Sequence, residues 1–270
     1  MLKYVYVDGD YRLTKESRLH VSDLSILRGY GVFDYFRYLR STPRFLPDHL
    51  ARLRRSAAEL NLEVPLADEA ITEIVAGLIE RNGGGEGGIR LIVTGGYAAD
   101  GYTPRNPNFL ALPNAHTAPP ADKYVHGCAV MLHSFERQLP RAKTIDYLEG
   151  IRILPLLRQA GADYPVYVDR EDNVRESDRS NVMIVRGGTL ITPVDNILLG
   201  ITRKHLLALA GEIGIPCEER PVAAEEFRAA EEALICSTVK GPMPIGRIDG
   251  LAKPVGPVTR RLIEAWRTYE

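Results

Sequence analysis

Residues 198–203, Leu-Leu-Gly-Ile-Thr-Arg, set a glycine and a threonine just ahead of an apolar-periodic segment, where a helix should begin. The first turn of a helix has backbone N–H groups without intrahelical acceptors, and the helix dipole adds positive potential, so this start suits a dianion such as a phosphate. Glu176 follows the turn-forming run Arg170-Glu171-Asp172-Asn173, and the second strand of the hairpin this run implies would carry its carboxylate inward. Lys143 stands between Pro140 and Tyr147. Read alone, it is a solvated lysine at a strand end, Glu176 a surface acid beside Arg175 and Arg179, Arg52 an exposed helix position and Thr202 an ordinary cap. Leu198 alone is a buried leucine. Arg28, Arg90 and Arg105 each carry a planar, two-pronged donor of the kind that seats a carboxylate. The bland alternative for Arg28 and Arg90 is a structural ion pair with Asp23, Asp34 or a similar acid.

These groups need elements to position them. The alternation at 3–7 and the Asp8-Gly9-Asp10 that follows predict a strand and a hairpin turn. A helix is expected over 49–62, with Leu50, Leu53, Ala57 and Leu60 on one face and Asp48 as N-cap, and a second over 68–81. Residues 83–88 satisfy G-x-G-x-x-G in letters. They follow a helix and precede the strand expected at 89–94, the reverse of the dinucleotide-binding order, so they read as a loop. Breakers crowd 112–120, which predicts a small domain over 1–112, a linker at 113–120 and a larger domain over 121–270. In the latter, strands are expected at 125–135, 164–168, 181–185 and 233–237, and helices at about 147–159, 202–212 and 255–269. The mixture is α+β.

With 34 basic and 35 acidic residues and no basic block longer than Arg52-Leu53-Arg54-Arg55, the chain has no electrostatic footprint for nucleic acid. No uncharged apolar run reaches the roughly 18 residues that a spanning helix needs. Asp8 and Asp10 interrupt any N-terminal apolar stretch, so the cytosol is the expected compartment. Cys128, Cys217 and Cys236 are scattered without zinc or disulfide spacing, and no metal site is expected. A small molecule is the expected partner.

Several stretches, taken in order, share a pattern. They are Arg28-Gly29-Tyr30-Gly31-Val32-Phe33-Asp34, His49-Leu50-x-Arg52-Leu53-x-x-Ser56-Ala57, Lys143-Thr144-x-Asp146-Tyr147, Glu176-x-x-x-Ser180-Asn181, Gly200-Ile201-Thr202-Arg203, and Ser237-Thr238 with Gly241-Pro242. This order, spanning nearly the whole chain, resembles the fold type IV pyridoxal-phosphate (PLP) enzymes, which include branched-chain and D-amino-acid aminotransferases and aminodeoxychorismate lyases. The resemblance implies a two-domain α+β fold with a small N-terminal α/β domain and a larger, β-barrel-like C-terminal domain with helices. It implies PLP as cofactor and Lys143, near the start of the large domain, as the Schiff-base amine and proton carrier. Glu176 would sit at the pyridine nitrogen, where a carboxylate makes the ring an electron sink. The amides of Ile201 and Thr202, the hydroxyls of Thr202 and Thr238 and the guanidinium of Arg52 would clasp the phosphate. Gly200, Ser180, Asn181 and Ser237 complete the implied cofactor set, with Leu198 against the ring face. Tyr147 would donate to the phenolate oxygen, although it stands one residue nearer the lysine than the corresponding tyrosine of branched-chain enzymes.

The implied substrate residues are Arg28, Tyr30, Arg90 and Arg105. Pro104-Arg105-Asn106-Pro107 has the arginine but lacks the histidine of the Pro-Arg-x-His found in Bacillus-type D-amino-acid aminotransferases. Gly88-Ile89-Arg90 has the arginine but lacks the tyrosine of the branched-chain Tyr-x-Arg. Arg28 together with Arg90, in words similar to 20–31 and to Gly95-Gly96-Tyr97, resembles a less common D-amino-acid group whose two arginines hold the substrate carboxylate. The expectation is a ping-pong transaminase of D-amino acids and 2-oxo acids, acting as a cytoplasmic homodimer with the active site at the subunit interface. The alternatives are an L-branched-chain aminotransferase, an aminodeoxychorismate lyase, and a PLP-binding protein without turnover.

Overall fold

The computed structural model describes residues 1–270 except Asp8 and Glu270. Backbone packing divides the chain into two units, residues 1–117 with 141–146, and residues 118–140 with 147–270.

The first unit holds β1 (Tyr4–Val7), β2 (Asp10–Leu13), β3 (Gly31–Leu39), β4 (Thr42–Pro43), β5 (Gly87–Thr94) and β6 (Phe109–Asn114), with helices α1 (Leu24–Arg28), α2 (Leu46–Glu59) and α3 (Asp68–Arg81). The strands form one antiparallel sheet in the order β2-β1-β6-β5-β3-β4. Side chains alternate along a strand. In β3, therefore, Val32, Phe36 and Tyr38 enter the core shared with Leu50 and Leu53 of α2 and Ile71 and Leu78 of α3. Asp34 belongs to that same buried row, while Phe33 and Tyr35 point the other way, Tyr35 directly across from Arg90 of β5.

The expected hairpin at the N-terminus forms from β1 and β2, and Asp8 of its turn lies outside the described residues. The helix expected at 49 begins at Leu46 instead. Pro47 occupies its first turn, where a missing N–H is no loss, so the proline starts the helix rather than preceding it. Asp48 accordingly lies inside the first turn and does not cap it. Only the front of the glycine run is loop. Gly83, Gly84 and Gly85 have positive φ, but Gly87 and Gly88 already belong to β5, because the rings of Tyr38 and Tyr35 fill the space their Cβ atoms would need. The strand β6 also runs into the expected linker, with Pro113 and Asn114 paired to Ile89 and Gly88.

The second unit contains β7 (Cys128–Ser134), β8 (Tyr164–Val168), β9 (Asn173–Ser177), β10 (Asn181–Arg186), β11 (Thr189–Thr192), β12 (Cys217–Glu219), β13 (Val222–Ala223), β14 (Glu232–Ser237), β15 (Gly241–Ile248) and β16 (Leu251–Ala252). Its helices are α4 (Asp122–His126), α5 (Leu148–Arg152), α6 (Leu154–Ala160), α7 (Ile201–Glu212), α8 (Ala224–Ala229) and α9 (Pro257–Tyr269). The path β10-β14-β15-β7-β8-β9 returns to β10 through the pair Glu176 and Asn181, closing the sheet into a barrel. Closure removes the sheet edges that an open sheet would expose. Two expectations are corrected in this unit. The strand expected at 125 starts at Cys128, since Val125 and His126 end α4 and Gly127, at φ 80, breaks it. The helix expected over 147–159 divides at Ile153 into α5 and α6, because Pro155 fits only at the start of a helix. Residues 141–146, placed by expectation in the large domain, pack with the first unit, where Thr144 bridges to Val32.

Helix α9 is anchored from inside the barrel sheet. Both carboxylate oxygens of the buried Glu232 accept from its first turn, one from the Val258 N–H at 3.0 Å and one from the Thr259 N–H at 2.7 Å. Glu232→Ala should lower unfolding stability by about 2 kcal/mol, the scale of charge-assisted bonds lost at a buried cap, and Glu232→Gln by less. Urea titration of the three proteins measures both.

Candidate active site

On α2 the buried residues are Leu46, His49, Leu50, Arg52, Leu53, Ser56 and Ala57, so three polar side chains are taken out of water. Buried polar groups need partners. Asp34 of β3 supplies them: Arg52 Nε and Nη2 donate to its two carboxylate oxygens at 2.7 and 2.8 Å, and His49 Nδ1 lies 2.7 Å from Oδ1. Because the carboxylate can only accept, the imidazole proton sits on Nδ1. Burial alone would raise the Asp34 pKa, but Arg52 and then His49 outweigh it and hold the group well below the usual carboxylate range. Burial also holds His49 below its ordinary value despite the pull of Asp34. Arg52 is buried, not the exposed helix position that its sequence context allowed. Asp34 takes up the Nε and Nη2 edge of its guanidinium.

The last of these polar residues, Ser56, reaches the lysine segment. Its Oγ accepts the Lys143 N–H at 3.0 Å, and the Lys143 carbonyl accepts the Phe33 N–H at 2.9 Å. Pinned on both sides, Lys143 sets its amine 4.5 Å from the centroid of the Phe33 ring. The Arg90 guanidinium lies 5.3 Å from that same centroid, so strand alternation brings an amine and an exposed guanidinium to one ring on the sheet face away from α2. Arg28 ends α1, is exposed, and donates to the Leu27 carbonyl at 2.9 Å. The proposed ion pairs with Asp23 or Asp34 are not what these arginines make. Asp23 caps α1 and binds Thr94 and Asn108, and Asp34 is committed to Arg52 and His49. Tyr30 donates its hydroxyl proton to the Leu60 carbonyl. Arg105 is exposed on the loop after β5, where its carbonyl packs where a Gly96 side chain would lie.

In the second unit Glu176 is buried, as its hairpin implied, and the surface-acid alternative falls. Its Oε1 accepts from Arg137 Nη1 at 2.9 Å and its Oε2 from the Leu198 N–H at 3.2 Å. Across the closing pair of the barrel, Asn181 donates Nδ2 to the Leu198 carbonyl at 2.8 Å, and its Oδ1 occupies the space that a Cβ on Gly200 would need. Gly200 is therefore required by packing. It is also the N-cap of α7, and no side chain caps that helix, whose first residues are Ile201 and the buried Thr202. Asn181 pairs on its other side with Cys236, next to Ser237 and the turn that holds Thr238. Ser180 Oγ is 3.1 Å from Lys240 Nζ. Tyr147 stands before α5 amid the charges of Arg137, Asp178 and Glu176; burial, the largest influence, pushes its phenol up, so it stays a proton donor.

The structure thus joins Glu176, Asn181, Leu198 and Gly200 in one network on the second unit, with Ser180 and Ile201 next to it in sequence, and Lys143 with Arg90 on the first. Four contributors were given no site role by the sequence: Asp34, His49 and Ser56, which stand within its ordered stretches, and Arg137. The first three carried a signal, a charged residue in an otherwise inward row of β3 and polar residues on the inward stripe of α2. Arg137 carried none. Arg203, within the Gly-Ile-Thr-Arg stretch, turns away as a strut, donating to the Pro193 carbonyl at 2.9 Å and pairing with Glu219 at 2.6 Å.

Comparison with known proteins identifies the family. Residues 31–248 match the model described as amino-transferase class IV. The "Putative branched-chain-amino-acid aminotransferase" of Methanocaldococcus jannaschii is 30% identical over 97% of this chain and 95% of its own length. A D-alanine aminotransferase of Staphylococcus epidermidis is 26% identical over 98% and 97%. The solved branched-chain aminotransferase of Thermoproteus uzoniensis superposes with a TM-score of 0.87 at 29% identity, covering 99% of this chain and 94% of that one. The chain belongs to the class IV aminotransferases, and its antiparallel sheet with helices and barrel-like sheet with helices are that family's two-domain α+β fold. Pyridoxal phosphate is the cofactor of these enzymes. Each unit carries groups of the kind it needs: a lysine amine on the first, and on the second a buried carboxylate with both oxygens oriented and a helix start without a side-chain cap.

The buried pair sets a pH limit on the fold. In the unfolded chain His49 takes up a proton near pH 6.5, whereas the folded chain resists it, so below that pH the unfolded state binds more protons. Stability should be fully present above about 6.5 and fall as the pH drops, by at most about 1.4 kcal/mol per unit for one proton. Melting curves of the apoprotein between pH 7.5 and 5.5 should show this slope, and His49→Gln should flatten it while lowering the plateau.

Proposed function

We propose that this chain transaminates D-amino acids and 2-oxo acids by a two-step exchange on PLP, with Lys143 as the amine that holds the cofactor. The observation that carries this reading is the pair of exposed guanidiniums, Arg28 and Arg90, with the acids that could have neutralised them engaged elsewhere, and Arg90 against the ring that the Lys143 amine also meets. Such guanidiniums suit a substrate α-carboxylate, which each can grip in two-pronged fashion. Bound, the cofactor supplies an electron sink that acidifies the substrate Cα–H. Lys143 Nζ would accept that proton and return it. Glu176 would bind the ring nitrogen, Tyr147 would donate its phenolic proton to the neighbouring oxygen, and Leu198 would line the ring face. Ile201, Thr202, Ser237, Thr238 and the remaining edge of Arg52 would hold the phosphate, with Gly200, Ser180 and Asn181 shaping the loop around it.

The working form in this reading is a homodimer with residues of each subunit completing the other's site. Val21, Ile26 and Leu27, beside Arg28, and Tyr97 and Tyr102 are large apolar side chains left exposed, the kind of surface that a second copy covers. The three free cysteines suit a cytoplasmic location. A second reading, an L-branched-chain aminotransferase, is favoured by the 30% identity to the Methanocaldococcus protein.

Mixing holoenzyme separately with D-alanine, D-glutamate, L-leucine and L-glutamate distinguishes them. The visible cofactor band should bleach with the D-donors, and bleaching by L-leucine alone would establish the second reading. Arg28→Ala and Arg90→Ala should each weaken saturation by the donor by at least about tenfold, the scale of one lost charge-assisted hydrogen bond. Normal saturation in both variants would remove the two-arginine seat. Lys143→Ala should retain PLP without covalent attachment, lose the imine band, and turn over no donor.

A further inference from the structure

We propose that Arg137 is a positioning residue that keeps Glu176 ionised and aimed at the cofactor ring; this rests on the assignment of Glu176 to the ring nitrogen. Glu176 is buried, and a buried carboxylate without a cation takes up a proton more readily. Arg137 Nη1 meets Oε1 at 2.9 Å, while the Leu198 N–H holds Oε2 at 3.2 Å, so the two donors fix the carboxylate plane from separate elements. The same Nη1 donates to the Pro140 carbonyl at 3.1 Å. Pro140 is three residues before Lys143, so one guanidinium ties the carboxylate to the strap that leads into the lysine. A cavity of about 210 Å³ runs beside this pair, lined by Arg137, Pro140, Tyr167, Arg175, Glu176 and Asn196. That volume admits water, and with it a proton source, to the carboxylate. Arg137, mostly buried on the cavity wall, opposes that protonation with its charge and fixes the side chain with its geometry. A neutral Glu176 would lose the negative charge that favours a protonated ring nitrogen.

The test uses the full-length apoprotein titrated with PLP, read by the cofactor's absorbance, across pH 5.5–8.5. Arg137→Met should raise the PLP dissociation constant by about tenfold at pH 7.5, the scale of one charge-assisted hydrogen bond. It should also make binding weaken more steeply as the pH falls than it does in the wild type. Arg137→Lys should restore most of the affinity and the wild-type profile, and melting curves of each apoprotein confirm folding. Added to Glu176→Gln, which by itself weakens binding, Arg137→Met should do little more. An unchanged affinity and profile in Arg137→Met, or a full effect persisting beside Glu176→Gln, overturns the proposal alone. Should Glu176→Gln leave both affinity and spectrum unchanged, the assignment of Glu176 falls and the proposal falls with it.

Discussion

Alternation of side chains along β3 is the constraint on which the first unit depends. It sends Val32, Asp34, Phe36 and Tyr38 toward α2 and leaves Phe33 and Tyr35 on the opposite face. A carboxylate in that inward row is tolerable only because α2 answers it with Arg52 and His49. The outward row then presents Phe33, against which both the Lys143 amine and the Arg90 guanidinium come to rest. A one-residue slip would exchange the two faces, turning the ring toward α2 and the acid away from it. Structure and chemistry are therefore fixed by a single register.

In the second unit the corresponding constraint is closure. The barrel is sealed by the pairing of Glu176 with Asn181, and contacts to the start of α7 radiate from that seal. Asn181 reaches the Leu198 carbonyl and crowds Gly200, while Leu198 returns its N–H to Glu176. These contacts connect two strands, the loop before α7 and the start of that helix. An uncapped helix start is a poor element on its own, because its N–H groups lack acceptors. Here it is held open by packing, and an anion is the natural acceptor.

The sequence by itself determined the spacing of the reactive types. Its ordered stretches carried the family, Glu176 was legible from a hairpin turn, and α3 and β8 fall where periodicity put them. It misjudged the role of prolines, since Pro47 opens a helix and Pro155 divides one. It could not read Arg137 at all, because a surface-type residue in an irregular segment has no periodicity to betray its partner 39 positions away. Tertiary structure alone decided that Asp34 holds Arg52, that Asp23 serves a helix cap instead of an arginine, and that residues 141–146 pack with the sheet of the first unit. The physical reason is range. Spacing and propensity act over a few residues, whereas a buried charge is satisfied by whichever opposite group the folded chain brings within about 3 Å.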